Sequence, residues 1–299
     1  MRGRRGLTLV EVLLVIAILA VLLALLVPAV QKVRALSARL HDQNNIRQIV
    51  LGFQSYSTVS GGVLPSRGRR SIVVGPPGVT SHSPLYNILP FLEPPAPPPY
   101  GVPFYTANGL LWGTEYALIP TFISPTDPSL DRLDDYARTR GPNCYAVNQQ
   151  VFGKPARLPA SFPDGISATI AVGQHYYYAG MPGVPSWRED YLTMFYTEPS
   201  QLWADRSGWR SCTFADPVWW DVLPVTKDGQ TLPSIPGATF QMVPNPRAAD
   251  GRMLQATQSA GLLVGMFDGS VKTISPGVSP ATFWAAVTPA GGEAVSEGE

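Results

Sequence analysis

Leu7–Val27 reads LTLVEVLLVIAILAVLLALLV, and only Thr8 and Glu11 within this stretch are polar. As a helix the stretch would be about 31 Å long, which is enough to cross the hydrocarbon core of a membrane. Three arginines and no acidic residue stand among the six residues before it. By the positive-inside tendency we expect one membrane span, with the N-terminus in the cytoplasm and the chain after Val27 exported.

Glu11 distinguishes this stretch from an ordinary secretory signal. Such a signal has an apolar region of roughly 7–15 residues that ends in a small-residue cleavage site. Here the apolar region is longer, and the small residue Gly6 precedes it. Because an ionised, unpaired carboxylate in hydrocarbon costs roughly 3 kcal/mol or more, Glu11 predicts a functional role and a partner. The alternative is an uncleaved membrane anchor with an incidental glutamate.

The composition of the whole chain excludes several classes of protein. Its 299 residues carry a formal net charge of +1, which is too small for a field that holds nucleic acid. The hydrophobic content of 45% is too high for a disordered chain, and the length is ample for a core. We therefore expect a folded exported part with no nucleic-acid partner.

Arg4–Glu11 reads RRGLTLVE, which resembles the class III signal of type IV pilins and type II secretion pseudopilins. The resemblance implies that a membrane prepilin peptidase cuts between Gly6 and Leu7 and that Leu7 is N-methylated, although phenylalanine is usual at that position. It also implies that Glu11 neutralises the new amine of a neighbouring subunit during assembly. Pro28 matches the helix-kinking proline that is common in these proteins.

Helical periodicity continues beyond the apolar stretch to a stop signal at Gly61-Gly62. Apolar residues recur at three- and four-residue steps, which is typical of an amphipathic helix. They are Val33, Leu36, Leu40, Ile46, Ile49, Val50, Phe53 and Tyr56. We predict a leader over 1–6, a transmembrane helix over 7–29 and an amphipathic helix over 30–60 that lies against a sheet, as in pilins.

Residues 61–289 predict an exported α+β head with an antiparallel β-sheet, and residues 290–299 predict a flexible tail. Ten prolines lie within residues 76–103, so we expect long surface loops of polyproline II there rather than helix or central strand. Short strands are predicted at Ile72–Val74, Thr169–Val172 and Phe240–Val243.

Two local signals stand near the end of the chain. Asp268-Gly269 lies between two apolar runs, which predicts a hairpin. Ser279 followed by Pro280 predicts the N-cap and first turn of a last helix.

Several motifs in a fixed order resemble a large pseudopilin-like family of unassigned function. Its C-terminal signature reads H-x(9)-D-G, to which Asp268 and Gly269 correspond, while Gln258 occupies the position of the histidine. The other motifs are QNNIRQI (43–49), LPFLE (89–93), ISPTD (123–127), YAVN (145–148) and FPDGISATI (162–170). The family often carries two cysteines at positions held here by Asp42 and Ser124, and their joint loss is expected if such cysteines pair.

No pattern in the sequence points to catalysis, a metal site or a cofactor. The chain lacks a G-x-S-x-G motif, and none of its three histidines, His41, His82 and His175, has the spacing of a zinc ligand. Asp131, Asp134 and Asp135 could offer oxygen ligands to calcium, but arginines lie among them. A solvated turn is the preferred interpretation of this acidic group.

Cysteines and tryptophans leave two questions open. Cys144 and Cys212 lie in the exported part, where an oxidising compartment would favour a bridge, and free thiols are the alternative. Five tryptophans fall within 34 residues, either in the core of the head or as an exposed platform for a glycan or protein ligand. They are Trp187, Trp203, Trp209, Trp219 and Trp220.

These observations predict a non-enzymatic, prepilin-like subunit of the cytoplasmic (inner) membrane, with its head in the periplasm or at the cell surface. It would be cleaved after Gly6 and would assemble by helix packing into a type II secretion or type IV pilus-like structure. Its partners would be prepilin peptidase and other pilin-like subunits. The alternative is a membrane-tethered extracytoplasmic protein that binds a glycan or another ligand through its tryptophan-rich part.

Overall fold

A computed structural model describes ten segments of the chain. They are residues 9–65, 84–92, 101–106, 109–114, 119–132, 142–153, 155–178, 213–215, 238–251 and 253–290. The chain divides into two compact units, Met1–His41 and Asp42–Glu299. We call the second unit the head.

Helix α1 runs from Leu9 to Val59 and continues through Pro28. Among the described residues it is the one helix long and apolar enough to cross a membrane. In the first unit the apolar side chains of α1 are exposed, as a segment that faces lipid or other helices requires. The structure therefore confirms the long N-terminal helix that the sequence predicts.

Three apolar residues near the end of the first unit are exposed, whereas the sequence predicted that they are buried. Val33, Leu36 and Leu40 are 67%, 60% and 51% exposed. The prediction that apolar side chains from Val33 onward pack on the sheet is wrong for these three residues. The periodicity marks an apolar stripe correctly, but it carries no information on which of its side chains are covered.

The head contains a five-stranded sheet in the order β5-β3-β4-β8-β9. Pairing is antiparallel from β3 to β9, which confirms the predicted α+β architecture, and β5 pairs with β3 in parallel. Two further pairs are β1 with β2 (antiparallel) and β6 with β7 (parallel). The strands are β1 Gly101–Thr106, β2 Gly109–Thr114, β3 Tyr145–Asn148, β4 Ile170–Gln174, β5 Thr213–Phe214, β6 Phe240–Met242, β7 Leu254–Ala256, β8 Leu262–Met266 and β9 Val271–Ile274.

Short helices complete the head. Helices α2, α3 and α4 span Pro84–Asn87, Gln149–Phe152 and Pro280–Val287, and 3₁₀ turns span Leu89–Phe91, Pro120–Phe122 and Pro128–Arg132. The Ser279 hydroxyl accepts a hydrogen bond of 3.1 Å from the Thr282 N–H, which confirms the predicted N-cap of α4. Helix α1 ends before Gly61 and Gly62, whose φ angles of +64° and +89° suit glycine and confirm the predicted stop.

The sheet has an apolar layer on each face. Because side chains alternate along a strand, Leu263 faces the α1 side while Leu262 and Val264 face α4. On the first face, Ile46 and Phe53 of α1 are fully buried. The head residues of α1 thus lie on one side of the sheet and α4 on the other.

Gly265 of β8 lets α1 approach the sheet closely. A Cβ atom at this position would lie 2.7 Å from Ile46 Cγ2 and 2.7 Å from Val50 Cγ2. Real Cβ atoms do not come so near to other carbon atoms, so a side chain here would push α1 away from the strand.

We therefore expect Gly265→Ala to lower the free energy of unfolding by about 1–3 kcal/mol, the usual cost of overpacking. Gly277→Ala is the matched control, since nothing lies within 4 Å of a Cβ there, and its effect should stay within about 0.5 kcal/mol. Urea unfolding of the full chain in detergent micelles measures both. Equal stability of the two variants would contradict the close approach.

The proline-rich segment differs from its prediction. Part of it forms α2 and a 3₁₀ turn, and Leu85, Ile88 and Leu89 are buried in the head. Pro84 is the first residue of α2 and Pro90 the second of the 3₁₀ turn, and a missing N–H costs nothing at either position. The prediction of surface polyproline II is therefore wrong for residues 84–92.

Other sequence predictions have mixed outcomes. The hairpin of β8 and β9 and the strands that correspond to β4 and β6 are confirmed. The predicted strand at Ile72–Val74, His82, and the run Glu93–Pro99 lie outside the described residues.

Candidate functional site

Glu11 stands in the first turn of α1, as the acidic residue of an otherwise apolar stretch. Its side chain and those of Val10 and Val12 are exposed. A carboxylate in the first turn of a helix is favoured by the partial positive charge of the helix N-terminus. The predicted cleavage residues, Gly6 and Leu7, lie outside the described residues.

The head holds a second acidic residue of interest, Asp42, which is completely buried. The Tyr145 hydroxyl donates to Asp42 Oδ1 at 2.7 Å. Asp42 Oδ2 accepts from Ser124 Oγ at 2.9 Å and from Gln174 Nε2 at 3.0 Å, and the Thr126 hydroxyl also donates to it. We call these five residues the Asp42 cluster. Four donors around one carboxylate satisfy an ionised group, which can only accept hydrogen bonds.

The Asp42 cluster ties α1 to three strands of the sheet. Tyr145 begins β3 and Gln174 ends β4, while Gln174 Oε1 accepts from the Leu263 N–H of β8 at 3.0 Å. Asn45, one turn further along α1, donates to the Tyr145 hydroxyl at 3.1 Å. Burial, and next the charge of Asp42, raise the pKa of Tyr145 well above its ordinary value, so this hydroxyl remains a donor.

Asp42 and Ser124 occupy the two positions at which the pseudopilin-like family that the chain resembles often carries cysteines. The structure brings them into direct contact, with 2.9 Å between Ser124 Oγ and Asp42 Oδ2. A hydrogen bond thus connects these two positions.

We expect the double variant Asp42→Cys/Ser124→Cys to form a disulfide, because the two side chains already touch. The bridge would close a long loop and contribute about 2–4 kcal/mol relative to its reduced form. Peptide mapping under non-reducing conditions, with unfolding measured with and without reductant, tests this. Two free thiols at these positions after air oxidation would contradict the expectation.

Asp127 forms a smaller buried site next to Cys144. Its Oδ1 accepts from the Ser129 N–H at 2.8 Å and its Oδ2 from the Tyr177 N–H at 2.7 Å. Burial raises the pKa of Asp127, and the hydrogen bonds from Tyr177 and Ser129 oppose that rise. These contacts hold the loop before β3 to the chain after β4.

Cys144 is fully buried and forms no disulfide with another described residue. Burial, and next the charge of Asp127, raise the pKa of this thiol well above its usual value. The thiol therefore stays protonated and has little nucleophilic character. Its predicted partner Cys212 lies outside the described residues, so the pairing stays a prediction.

His175 is buried at the end of β4 between two carbonyl groups. Its Nδ1 lies 2.6 Å from the Tyr176 carbonyl oxygen and its Nε2 lies 3.1 Å from that of Gly251. Burial lowers the pKa of His175, while the two carbonyl contacts and the charge of Asp250 act in the opposite direction. In the part of the chain that the structure describes, no three His, Cys, Asp or Glu side chains are grouped to hold a metal ion.

The lowered pKa of His175 predicts a loss of stability on mild acidification. The unfolded chain takes up this proton near pH 6.5, whereas the folded protein takes it up only at lower pH. The free energy of unfolding should therefore fall as the pH decreases from 6.5 toward the folded pKa. Unfolding of the full chain from pH 7.5 to 5 should show a weaker pH dependence in His175→Gln. The exposed His41→Gln is the control, and an unchanged slope in His175→Gln would contradict the prediction.

The family-signature residues flank β8 at its two ends, so the structure does not bring them together. The Gln258 carbonyl accepts from the Gly261 N–H at 3.3 Å in the turn before β8. After β8, Asp268 Oδ1 accepts from the Ser270 N–H at 2.9 Å, and Gly269 has a φ of +91°. Asp268 and Gly269 thus serve as turn residues.

Thr257, the residue before Gln258, contacts the Asp42 cluster. Thr257 Oγ1 lies 2.6 Å from Thr126 Oγ1 and accepts from Gln174 Nε2 at 2.8 Å. The residue before the signature position therefore contacts two members of the cluster. Sequence reasoning singled out Asp42 and Ser124 only through the resemblance, and no local pattern indicates the roles of Tyr145, Gln174 and Thr257.

The other candidates lie at the surface or outside the described residues. Asp131 is exposed in a 3₁₀ turn, and Asp134 and Asp135 lie outside the described residues. The five tryptophans also lie outside them, so their place in the core or on a ligand platform stays a prediction.

Two family models match the chain. Residues 1–27 match the prokaryotic N-terminal methylation motif. Residues 31–280 match a family described as a protein of unknown function, DUF1559. No curated protein and no solved structure matches the chain. The two matches cover the segments on which both resemblances rest, and they confirm the prepilin-type N-terminus.

Proposed function

Because the chain belongs to the DUF1559 family and carries a prepilin-type methylation motif, we propose that it is a pseudopilin-like subunit that assembles by helix packing. The assembly would be a type II secretion or type IV pilus-like structure. The observation that carries this proposal is the exposed apolar length of α1 with a single acidic residue, Glu11, in its first turn.

Processing comes first in the proposal. Prepilin peptidase would cut between Gly6 and Leu7 and methylate Leu7, which removes three arginines and creates a new amine. Glu11 would then be the fifth residue of the mature chain. A cationic amine of one subunit and the Glu11 carboxylate of the next would neutralise one another inside the membrane, where either charge alone is costly.

Helix packing would supply the rest of the stabilisation. The apolar side chains of α1 between Leu9 and Val27 are exposed, and the stripe of Val33, Leu36 and Leu40 continues beyond them. Burial of apolar area between subunits contributes about 25 cal/mol per Å² outside the membrane, and close packing of helices stabilises contacts inside it. The head would then present its surface to partners without catalysing a reaction.

The proposed topology follows from charge and length. The arginines before the apolar stretch would keep the N-terminus in the cytoplasm, and the head would lie in the periplasm or at the cell surface. The protein would thus be anchored in the cytoplasmic (inner) membrane by one helix.

Intact mass and N-terminal sequencing of the protein from a membrane fraction test the proposal. We expect a chain that begins at Leu7, with the mass of one added methyl group. Gly6→Leu should retain the leader, because the cleavage site needs a small residue. Gly3→Leu, in the same leader, is the matched control and should be processed normally. A natural chain that begins at Met1 or Arg2 would overturn the proposal in favour of a plain membrane anchor.

A further inference from the structure

A cavity opens on the α4 side of the sheet, on the face away from α1. Its apolar lining comes from β8, β9, α4 and the turn between β9 and α4: Met266, Ile274, Val278, Phe283 and Ala286. The volume is about 280 Å³. At ~30 Å³ for each water molecule, this is room for about nine waters or a small organic molecule.

Polar side chains also line the cavity. Lys272 of β9 and the hydroxyl-bearing Ser167 and Thr282 contribute to its lining. Among the described residues that line it, Lys272 alone is charged. The Lys272 ammonium donates to the Ser167 carbonyl oxygen at 3.2 Å. The Lys272 side chain is exposed, and this contact uses one of its three N–H donors.

The apolar lining and the lysine together favour one class of ligand. An apolar lining favours a ligand with an apolar body, because burial of apolar surface stabilises the complex. A lysine with remaining N–H donors favours a carboxylate, since a charge-assisted hydrogen bond is about twice as strong as a neutral one. A protein partner would need an interface of roughly 1,000 Å² or more, which is far larger than this opening.

We propose that this cavity binds a small monocarboxylate with an apolar body, whose carboxylate pairs with Lys272 while its apolar part contacts Met266, Ile274 and Phe283. The site would act independently of helix packing, so it does not rest on the proposed assembly. The β8–β9 hairpin and α4 would give the head a ligand-binding surface.

The test uses the full chain in lipid nanodiscs with ¹³C-labelled methionine and isoleucine methyl groups. The probe is 3-phenylpropanoate, and the Met266 and Ile274 methyl signals, identified through Met266→Leu and Ile274→Val, report occupancy. We expect saturable shifts of both signals with a Kd of about 1 mM or below. 3-Phenylpropan-1-ol, which has the same apolar body without the charge, should bind about tenfold more weakly.

Variants distinguish the contribution of the Lys272 charge to binding from the contribution of the apolar cavity. Lys272→Gln should weaken binding of the carboxylate about tenfold and leave binding of the alcohol unchanged. Lys32→Gln, an exposed lysine on α1, is the matched control and should bind as the natural protein does. Ala286→Leu should fill the cavity and abolish the shifts. Absent shifts in the natural protein, equal binding of acid and alcohol, or full binding by Lys272→Gln would overturn the proposal.

Discussion

Glu11→Val is expected to leave the protein processed and in the membrane but to reduce its incorporation into assemblies by about 100-fold or more. The variant removes one partner of the proposed pair and leaves a neighbour's amine unpaired in an apolar environment. Removal of one partner from a buried ion pair costs roughly 3–5 kcal/mol, and every 1.4 kcal/mol corresponds to a factor of ten. Membrane insertion should be unaffected, because valine is more apolar than glutamate.

Cells that express two differently tagged copies provide the measurement. Co-purification of the two tags after cross-linking in the membrane reports assembly, and the N-terminal sequence reports processing. Glu11→Asp retains the charge and should assemble better than Glu11→Val. Thr8→Val, a change of the other polar residue in the stretch, is the matched control and should assemble normally. Normal incorporation of Glu11→Val would remove the role assigned to this carboxylate.

Asp42→Ala is expected to lower the free energy of unfolding of the head by about 3–5 kcal/mol. The change removes the acceptor of four hydrogen bonds and leaves the Tyr145 hydroxyl and the Gln174 amide buried without it. Because the cluster joins α1 to β3, β4 and β8, the loss should appear as one cooperative transition at lower denaturant. Urea unfolding of the full chain in detergent micelles, followed by tryptophan fluorescence, measures it.

Two further variants show whether loss of the Asp42 cluster causes the expected loss of stability. Asp131→Ala removes an exposed acid and should change the stability by no more than about 0.5 kcal/mol. The double variant Asp42→Ala/Tyr145→Phe should cost less than the sum of its single changes, because the same hydrogen bond is lost in both. An Asp42→Ala head as stable as the natural one, or strictly additive effects, would contradict a structural role for the cluster.

Local signals in the sequence predicted the corresponding turns and helix ends correctly. The helix stop at Gly61-Gly62, the hairpin turn at Asp268-Gly269 and the cap at Ser279 each depend on one residue type meeting one backbone requirement. Glycine accepts a positive φ without steric cost, and a serine hydroxyl accepts a hydrogen bond from the first turn of a helix. Such requirements act over a few residues, so a single sequence is enough to recognise them.

Long-range contacts decided the cases in which the prediction was wrong. Proline content predicted a surface loop over residues 84–92, yet the leucines between the prolines are buried in the head. Val33 and Ile46 belong to the same apolar periodicity, but the first is exposed and the second is completely buried. Periodicity shows which side of a helix is apolar, whereas burial depends on what other parts of the chain reach that side.

The sequence by itself determined the long apolar helix, the prepilin-type N-terminus and a few local elements such as the β8–β9 hairpin and α4, because hydrophobic length, charge and turn chemistry act locally. Only the tertiary structure decided that Asp42 is enclosed by four donors from distant segments, or that Lys272 stands beside an apolar cavity. Residues 42 and 145 lie 103 positions apart, and no periodicity or motif predicts a contact over that separation. Strand pairing in the head and the approach of α1 at Gly265 bring such residues together.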